Sequence, residues 1–180
     1  MRALALLMLV AAAPVPAPPT AAATTNVWRC APDDLPELCR LAEQDQSDRE
    51  PPIDWDAVTV RDRERRAEAV RILRSRPMRT HGDHFHAALV MQHGDRWEDF
   101  AAAHLLATRG LQLAPQDRNL QRMVAASWDR MMHQMGHGQW FGTNTFRNPD
   151  GTPQERGTRR DLLPDALIDL WSQGWDWPEE

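Results

Sequence analysis

Residues 97–135, WEDFAAAHLLATRGLQLAPQDRNLQRMVAASWDRMMHQM, decide the fold class of this chain. Apolar residues recur in this stretch at spacings of three and four, which is the period of one helix face. Pro115 interrupts the pattern, because proline cannot continue a helix. The stretch therefore predicts two helices, at about 97–111 and 117–135, that fold back on each other as a hairpin.

The hairpin at 97–135 resembles one tetratricopeptide unit, including Leu113-Ala114-Pro115 at its turn. A second copy at that period does not occur in the sequence. Because a solenoid needs about three repeats to be stable, the resemblance does not predict a repeat protein.

Helical spacing also dominates the rest of the chain, and strand patterns are nearly absent. Asp33 or Asp34 is expected to cap a helix at about 36–49, and Asp54 or Asp56 to begin a second one that ends at Pro77. Thr80 is expected to cap a third helix, which stops at Gly94. A long loop at 136–160 precedes a further helix at 161–173. The sequence thus predicts an all-α single domain of about five to six helices, packed as antiparallel hairpins.

The N-terminus has the pattern of a secretory signal peptide. Arg2 precedes an apolar run at residues 3–13, which is too short to span a bilayer. Ala21-Ala22-Ala23 supplies the small residues that a signal peptidase requires, so we expect cleavage after Ala23. The predicted organisation is a signal peptide at 1–23 and a helical domain at 24–180, in a periplasmic or secreted protein without a membrane span after signal removal.

The two cysteines of the chain, Cys30 and Cys39, lie close together after the predicted cleavage site. In an oxidising compartment such a pair is most simply a disulfide. This bond would attach the N-terminal segment to the first helix.

The charge of the chain argues against nucleic acid as a partner. The formal net charge is −5, and all 21 basic residues are arginines interleaved with acids. Binding of phosphate backbones requires a basic face. The sequence contains neither a glycine-rich phosphate loop after a strand nor a Gly-x-Ser-x-Gly elbow. We therefore predict no cofactor.

One histidine cluster could bind zinc. His81, Asp83, His84 and His86 lie within six residues at the start of the third helix. Imidazoles and a carboxylate suit zinc, but His86 points away from His84 on a helix. A helix N-terminus with exposed histidines is the favoured interpretation, and no metal site is predicted.

A second polar group lies near the ends of two predicted helices. Asp129 and His133 are four residues apart, so the carboxylate can orient the imidazole, as in half of an acid/base pair. Arg130 could bind an anion. His93 lies at the predicted C-terminus of the third helix, where the helix dipole favours a positive charge.

Four short motifs resemble, in order and spacing, a bacterial domain family of unknown function. The family pattern runs Asp-Gln-x-x-Arg, Gln-His, Asp-Arg and Gln-x-Tyr-Gly-Thr-Gln, and the similarity covers about 40–145. This chain departs from it at Phe141, which replaces the tyrosine, and at Asn144, which replaces the last glutamine. The corresponding residues here are Asp45-Gln46-x-x-Arg49, Gln92-His93-Gly94, Asp129-Arg130 and Gln139-Trp140-Phe141-Gly142-Thr143.

The resemblance implies a helical domain and one shared polar site. Its expected members are Gln92, His93, Asp129, Arg130, Gln139 and Thr143. Two functions are compatible with such a site. The first is a cell-envelope module that binds a small polar ligand or an envelope protein. The second is a hydrolase-like enzyme in which His93 or His133 is the general base, Asp129 orients it and Arg130 holds an anionic group.

Overall fold

The computed structural model describes residues 30–144. In this part of the chain the structure contains five helices and confirms the all-α single domain. The predicted signal peptide at 1–23, the predicted loop beyond residue 144 and the predicted helix at 161–173 lie outside the described residues. The helices are α1 Pro36–Ser47, α2 Trp55–Ser75, α3 His81–Gln92, α4 Trp97–Leu113 and α5 Arg118–Gln134.

Helix α3 is the central element of the fold. It contacts each of the other four helices, and every residue from Gly82 to Gln92 is buried. Helices α3 and α4, and then α4 and α5, pack against each other as consecutive hairpins. Gly110 permits this close packing, because a Cβ atom there would lie 2.8 Å from the Leu120 side chain and 2.9 Å from His84 Cβ. Helix α3 is therefore buried on all sides, with Asp83 near one end and Gln92 at the other.

The start of α3 is tied to the start of α1. Thr80 and Asp83 form the predicted capping box. The predicted cap of the first helix by Asp33 or Asp34 is wrong, because Leu35 is the N-cap residue of α1. The Leu35 amide donates to Asp83 Oδ1 at 2.6 Å, and Asp34 instead accepts from Thr80 Oγ1 at 2.6 Å. Residues at the starts of α1 and α3 therefore satisfy each other's hydrogen-bonding groups.

The disulfide between Cys30 and Cys39 is confirmed, with 5.8 Å between the two Cα atoms. It links the segment before α1 to the second turn of that helix. In the described residues, none of the helices combines the length and apolar character that a membrane crossing requires.

Candidate functional site

The candidate site is built around His93, which is the C-cap residue of α3. Nδ1 of His93 lies 2.8 and 3.0 Å from the two carboxylate oxygens of Asp45 on α1. Asp45 is only 1% exposed. On the other side, Arg66 of α2 donates to the backbone carbonyl of His93 at 2.9 Å. Two helices therefore fix both the ring and the backbone of this residue.

Ion pairs between α1 and α2 neutralise the charges next to Asp45. Arg49 lies 3.1 Å from Asp45 and 2.8 Å from Asp62. Arg65, which is 5% exposed, also pairs with Asp62 and with Asp48. Burial raises the pKa of Asp62, but hydrogen bonds from Arg49 and Arg65 outweigh it and lower the pKa overall. Each arginine in this network thus faces at least one carboxylate.

Arg130 on α5 differs from those arginines. Its Nη1 donates to the backbone carbonyl of Gln92 at 2.9 Å, and its Nε donates to Asn144 Oδ1 at 3.0 Å. Its guanidinium lies 5.7 Å from the centre of the Phe100 ring. Within residues 30–144, no carboxylate lies at ion-pair distance from it. Burial and the charge of Arg49 lower the pKa of Arg130 to about 10, so it remains a cation at neutral pH.

The pKa of the His93 imidazole, which lies near these cations, is lowered. Burial lowers its pKa from 6.5, and the hydrogen bond and charge of Asp45 oppose that effect. The positive charges of Arg49 and Arg130 lower the pKa further, and the net shift is downward. A neutral imidazole with an orienting carboxylate can accept or donate a proton through its second nitrogen.

Asp129 holds the loop that follows α5. This fully buried carboxylate accepts from the amides of Trp140, Phe141 and Thr143, at 2.7, 2.9 and 2.9 Å. The hydroxyl of Thr143 donates to it as well, at 2.7 Å. Gly142 has a φ of 66°, which favours glycine and lets the loop curl around the carboxylate. Asp129 therefore positions the loop.

Gln139 and Asn144 close the same loop. Gln139 Nε2 donates to the Asn144 carbonyl, and the Asn144 amide donates to Gln139 Oε1, both at 2.8 Å. Asn144 Oδ1 then accepts from Arg130. Through Asn144, the loop held by Asp129 is connected to the guanidinium beside α3.

The predicted residues thus divide into two neighbouring groups. Gln92, His93 and Arg130 come together at the end of α3. Asp129, Gln139 and Thr143 come together in the loop. His133 is exposed on α5. Among residues 30–144, the four groups that donate to Asp129 all belong to the loop, and the predicted hydrogen bond with His133 is not one of them.

Two site residues were not singled out by sequence reasoning. Asp45 orients His93, although they are 48 positions apart, and Asn144 connects the loop to Arg130. Both residues lie in the motifs quoted above. Their positions in those motifs were the only signal in the sequence.

The histidine cluster at the start of α3 does not form a zinc site in the described structure. The Asp83 carboxylate already accepts hydrogen bonds from the amides of Leu35, Arg79 and Thr80. His84 Nδ1 contacts the Thr80 carbonyl at 2.7 Å. In residues 30–144 the one group with metal-ligand spacing is Cys30, Cys39 and Glu43, and the disulfide occupies both of its sulfur atoms.

A shallow groove of about 360 Å³ runs between α1 and α2. Asp48, Arg61 and Arg65 form part of its wall, and Leu41 lies against it. None of the residues predicted for the site lines this groove.

Comparison of the chain with protein-family models, with curated proteins and with solved structures gives no match. The family resemblance therefore stays a prediction.

Proposed function

We propose that this chain is an exported, non-enzymatic binding module of the cell envelope, and that Arg130 binds an anionic group of its ligand. The observation that carries this proposal is a mostly buried guanidinium whose described hydrogen-bond acceptors are both uncharged. Buried charges in proteins are normally paired, because desolvation of a lone ion is costly. A ligand anion would supply the missing partner, as carboxylates and phosphates do for arginine elsewhere.

Gln92 adds a second unsatisfied group. Its side chain is 4% exposed, and Oε1 has no hydrogen-bond partner in the described structure. Buried amide oxygens normally accept a hydrogen bond. The Gln92 side chain is thus a second polar group at this end of α3 whose hydrogen-bonding capacity is not used in the described structure.

A hydrolase-like activity is the second candidate. The observation in its favour is the 2.8 Å contact of Asp45 with His93 Nδ1, which leaves Nε2 as the nitrogen for acid/base chemistry. In this version Asp45, rather than Asp129, orients the general base, and Arg130 holds the anionic group. In residues 30–144, the Thr143 hydroxyl near the site donates to Asp129. The attacking nucleophile would therefore be water.

Thermal unfolding with sulfate tests the binding proposal. A bound anion stabilises the native state by about 1.4 kcal/mol when its concentration is ten times Kd. Sulfate should therefore raise the Tm of the parent protein above its value in sodium chloride of equal ionic strength. Arg130→Gln should reduce this difference to the general stabilisation that sulfate gives by its exclusion from the protein surface. Arg63→Gln is the matched control, because Arg63 is 65% exposed and already pairs with Asp95. An equal response of all three proteins would contradict the proposal.

Export has its own test. N-terminal sequencing of the protein recovered from the periplasm or medium should begin at Thr24. A product that retains Met1 and stays in the cytoplasm would contradict the proposed compartment.

A further inference from the structure

We propose that an anion held by Arg130 is also bound by Nε2 of His93, that Asp45 is the positioning residue for this imidazole, and that binding takes up one proton from solvent. This inference rests on the proposed function, because it adds a second binding side chain to the same site.

The contact with Asp45 determines which nitrogen of the neutral His93 ring carries the proton. An ionised carboxylate can only accept hydrogen bonds, so the contact of Asp45 with Nδ1 places a proton on that nitrogen. In the neutral ring Nε2 then carries a lone pair, which repels an anion. In residues 30–144 the hydrogen bonds of this ring all run through Nδ1. To donate to an anion, Nε2 must gain a second proton, and the reaction consumes one anion and one proton.

The charges around the ring explain why this proton arrives only with the anion. Arg130 donates to the carbonyl of Gln92, the residue before His93, and Arg49 lies 3.1 Å from the Asp45 carboxylate that contacts the ring. In the unliganded site these two guanidiniums oppose a third positive charge on His93. An anion at Arg130 cancels part of that repulsion and leaves Asp45 to stabilise the imidazolium. Anion binding and protonation therefore favour each other, as linkage requires. In residues 30–144, the charged groups on this side of α3 are Asp45 on α1 and Arg49 just after it, Asp62, Arg65 and Arg66 from α2, Asp95 and Asp99 next to Arg66, and Arg130 from α5.

The chemistry specifies the class of ligand. Two donors from different helices, a guanidinium and an imidazolium, favour an anionic group with at least two acceptor oxygens, because each donor can then bind its own oxygen. Carboxylate, sulfate and phosphate groups meet this condition.

Sulfate is the probe, because its charge is constant across the pH range in which histidine titrates. Isothermal titration of the mature chain is run at several values between about pH 5 and pH 8, around the ordinary pKa of histidine. Each value uses two buffers that differ in ionisation enthalpy, so that proton uptake is measured directly. One linked proton should raise the affinity about tenfold for each pH unit of acidification, at pH values below the pKa of the liganded imidazole and above the pKa of the free one. The measured uptake should approach one proton there.

Variants separate this inference from the proposed function. His93→Gln should bind sulfate more weakly and with no pH dependence in this range. Asp45→Asn keeps an acceptor for Nδ1–H but loses the charge, so its affinity should begin to rise only at lower pH. A merely structural role for Asp45 would not move that profile. His81→Gln, at the exposed opposite end of α3, is the control and should behave like the parent.

The outcomes are distinct. Sulfate binding that requires Arg130 but has the same pH profile in the parent and in His93→Gln would overturn the inference and leave the proposed function standing. A parent protein that does not bind sulfate at all would overturn both.

Discussion

A cluster of polar residues lies at each end of α3, and the two clusters differ in how completely their charges are satisfied. At the N-terminal end, Asp34 and Asp83 accept hydrogen bonds from Thr80 and from backbone amides. At the C-terminal end, Arg130 has only uncharged acceptors in the described residues. A saturated polar cluster fixes packing, whereas an unsaturated one retains capacity for a ligand. The comparison indicates an architectural role for the first end and supports the binding role that we propose for the second.

Asp83→Ala should have the largest effect on stability. The carboxylate is 1% exposed and accepts from the amides of Leu35, Arg79 and Thr80. Its loss leaves those donors unsatisfied and should reduce the free energy of unfolding by about 3 kcal/mol. Chemical denaturation measures this value. Asp95→Ala, whose carboxylate is 49% exposed, should cost less than about 1 kcal/mol. Equal losses of stability in these two variants would contradict an architectural role for the N-terminal end of α3.

Loss of the disulfide should have the next largest effect on stability. Cys30 and Cys39 close a loop with a sequence separation of 9, which stabilises by about 2–3 kcal/mol in the chain-entropy model. Cys30→Ser/Cys39→Ser should lower the Tm accordingly. Because the bond adjoins the N-terminal end of α3, sulfate affinity at the other end should not change. A parallel loss of affinity would show that the two ends are not independent.

The pH dependence of stability should separate the two ends. Burial raises the pKa of Asp83, but its backbone hydrogen bonds lower it overall, so its contribution is present above pH 3.8 and is lost as pH falls below that value. The pKa of His93 is also lowered, and burial is the largest cause. In the unfolded chain the His93 imidazole therefore takes up a proton at about pH 6.5, whereas in the native state it does so only at lower pH. The free energy of unfolding consequently falls as pH drops below 6.5.

The measurable quantity is the slope of unfolding free energy against pH. His93 contributes about 1.4 kcal/mol per pH unit between the unfolded and native pKa values. His104, whose pKa burial also lowers, contributes in the same direction. His93→Gln should therefore reduce the slope just below pH 6.5 without abolishing it, and should leave the decline below pH 3.8 unchanged. An unaltered slope would contradict a buried, neutral His93.

Arg130→Met should have the smallest effect on stability. Since the pKa of Arg130 is lowered to about 10, its charge opposes folding, and an apolar side chain of similar length removes that cost along with two hydrogen bonds. The free energy of unfolding should change by less than about 1 kcal/mol, while the stabilisation that comes from sulfate binding at Arg130 disappears. A loss as large as that of Asp83→Ala would make Arg130 a structural residue.

Periodicity predicted the helices well, because α4 and α5 follow spacings set by one buried face. Thr80 and Asp83 were predictable as a capping box, since that device is local. The N-cap of α1 was not predictable, because the amide of Leu35 donates its hydrogen bond to Asp83 in another helix. Local spacing likewise suggested an Asp129–His133 pair, but Asp129 is buried under the loop. The partner of His93 is Asp45, 48 positions away, and only tertiary packing brings them together.

Anomalous diffraction from a crystal of the mature protein grown with selenate tests the central claim most directly. The account predicts a selenium peak beside the C-terminal end of α3, with selenate oxygens about 3 Å from the Arg130 guanidinium and from His93 Nε2. A carboxylate of the chain itself paired with Arg130, and no anomalous peak there, would contradict the account.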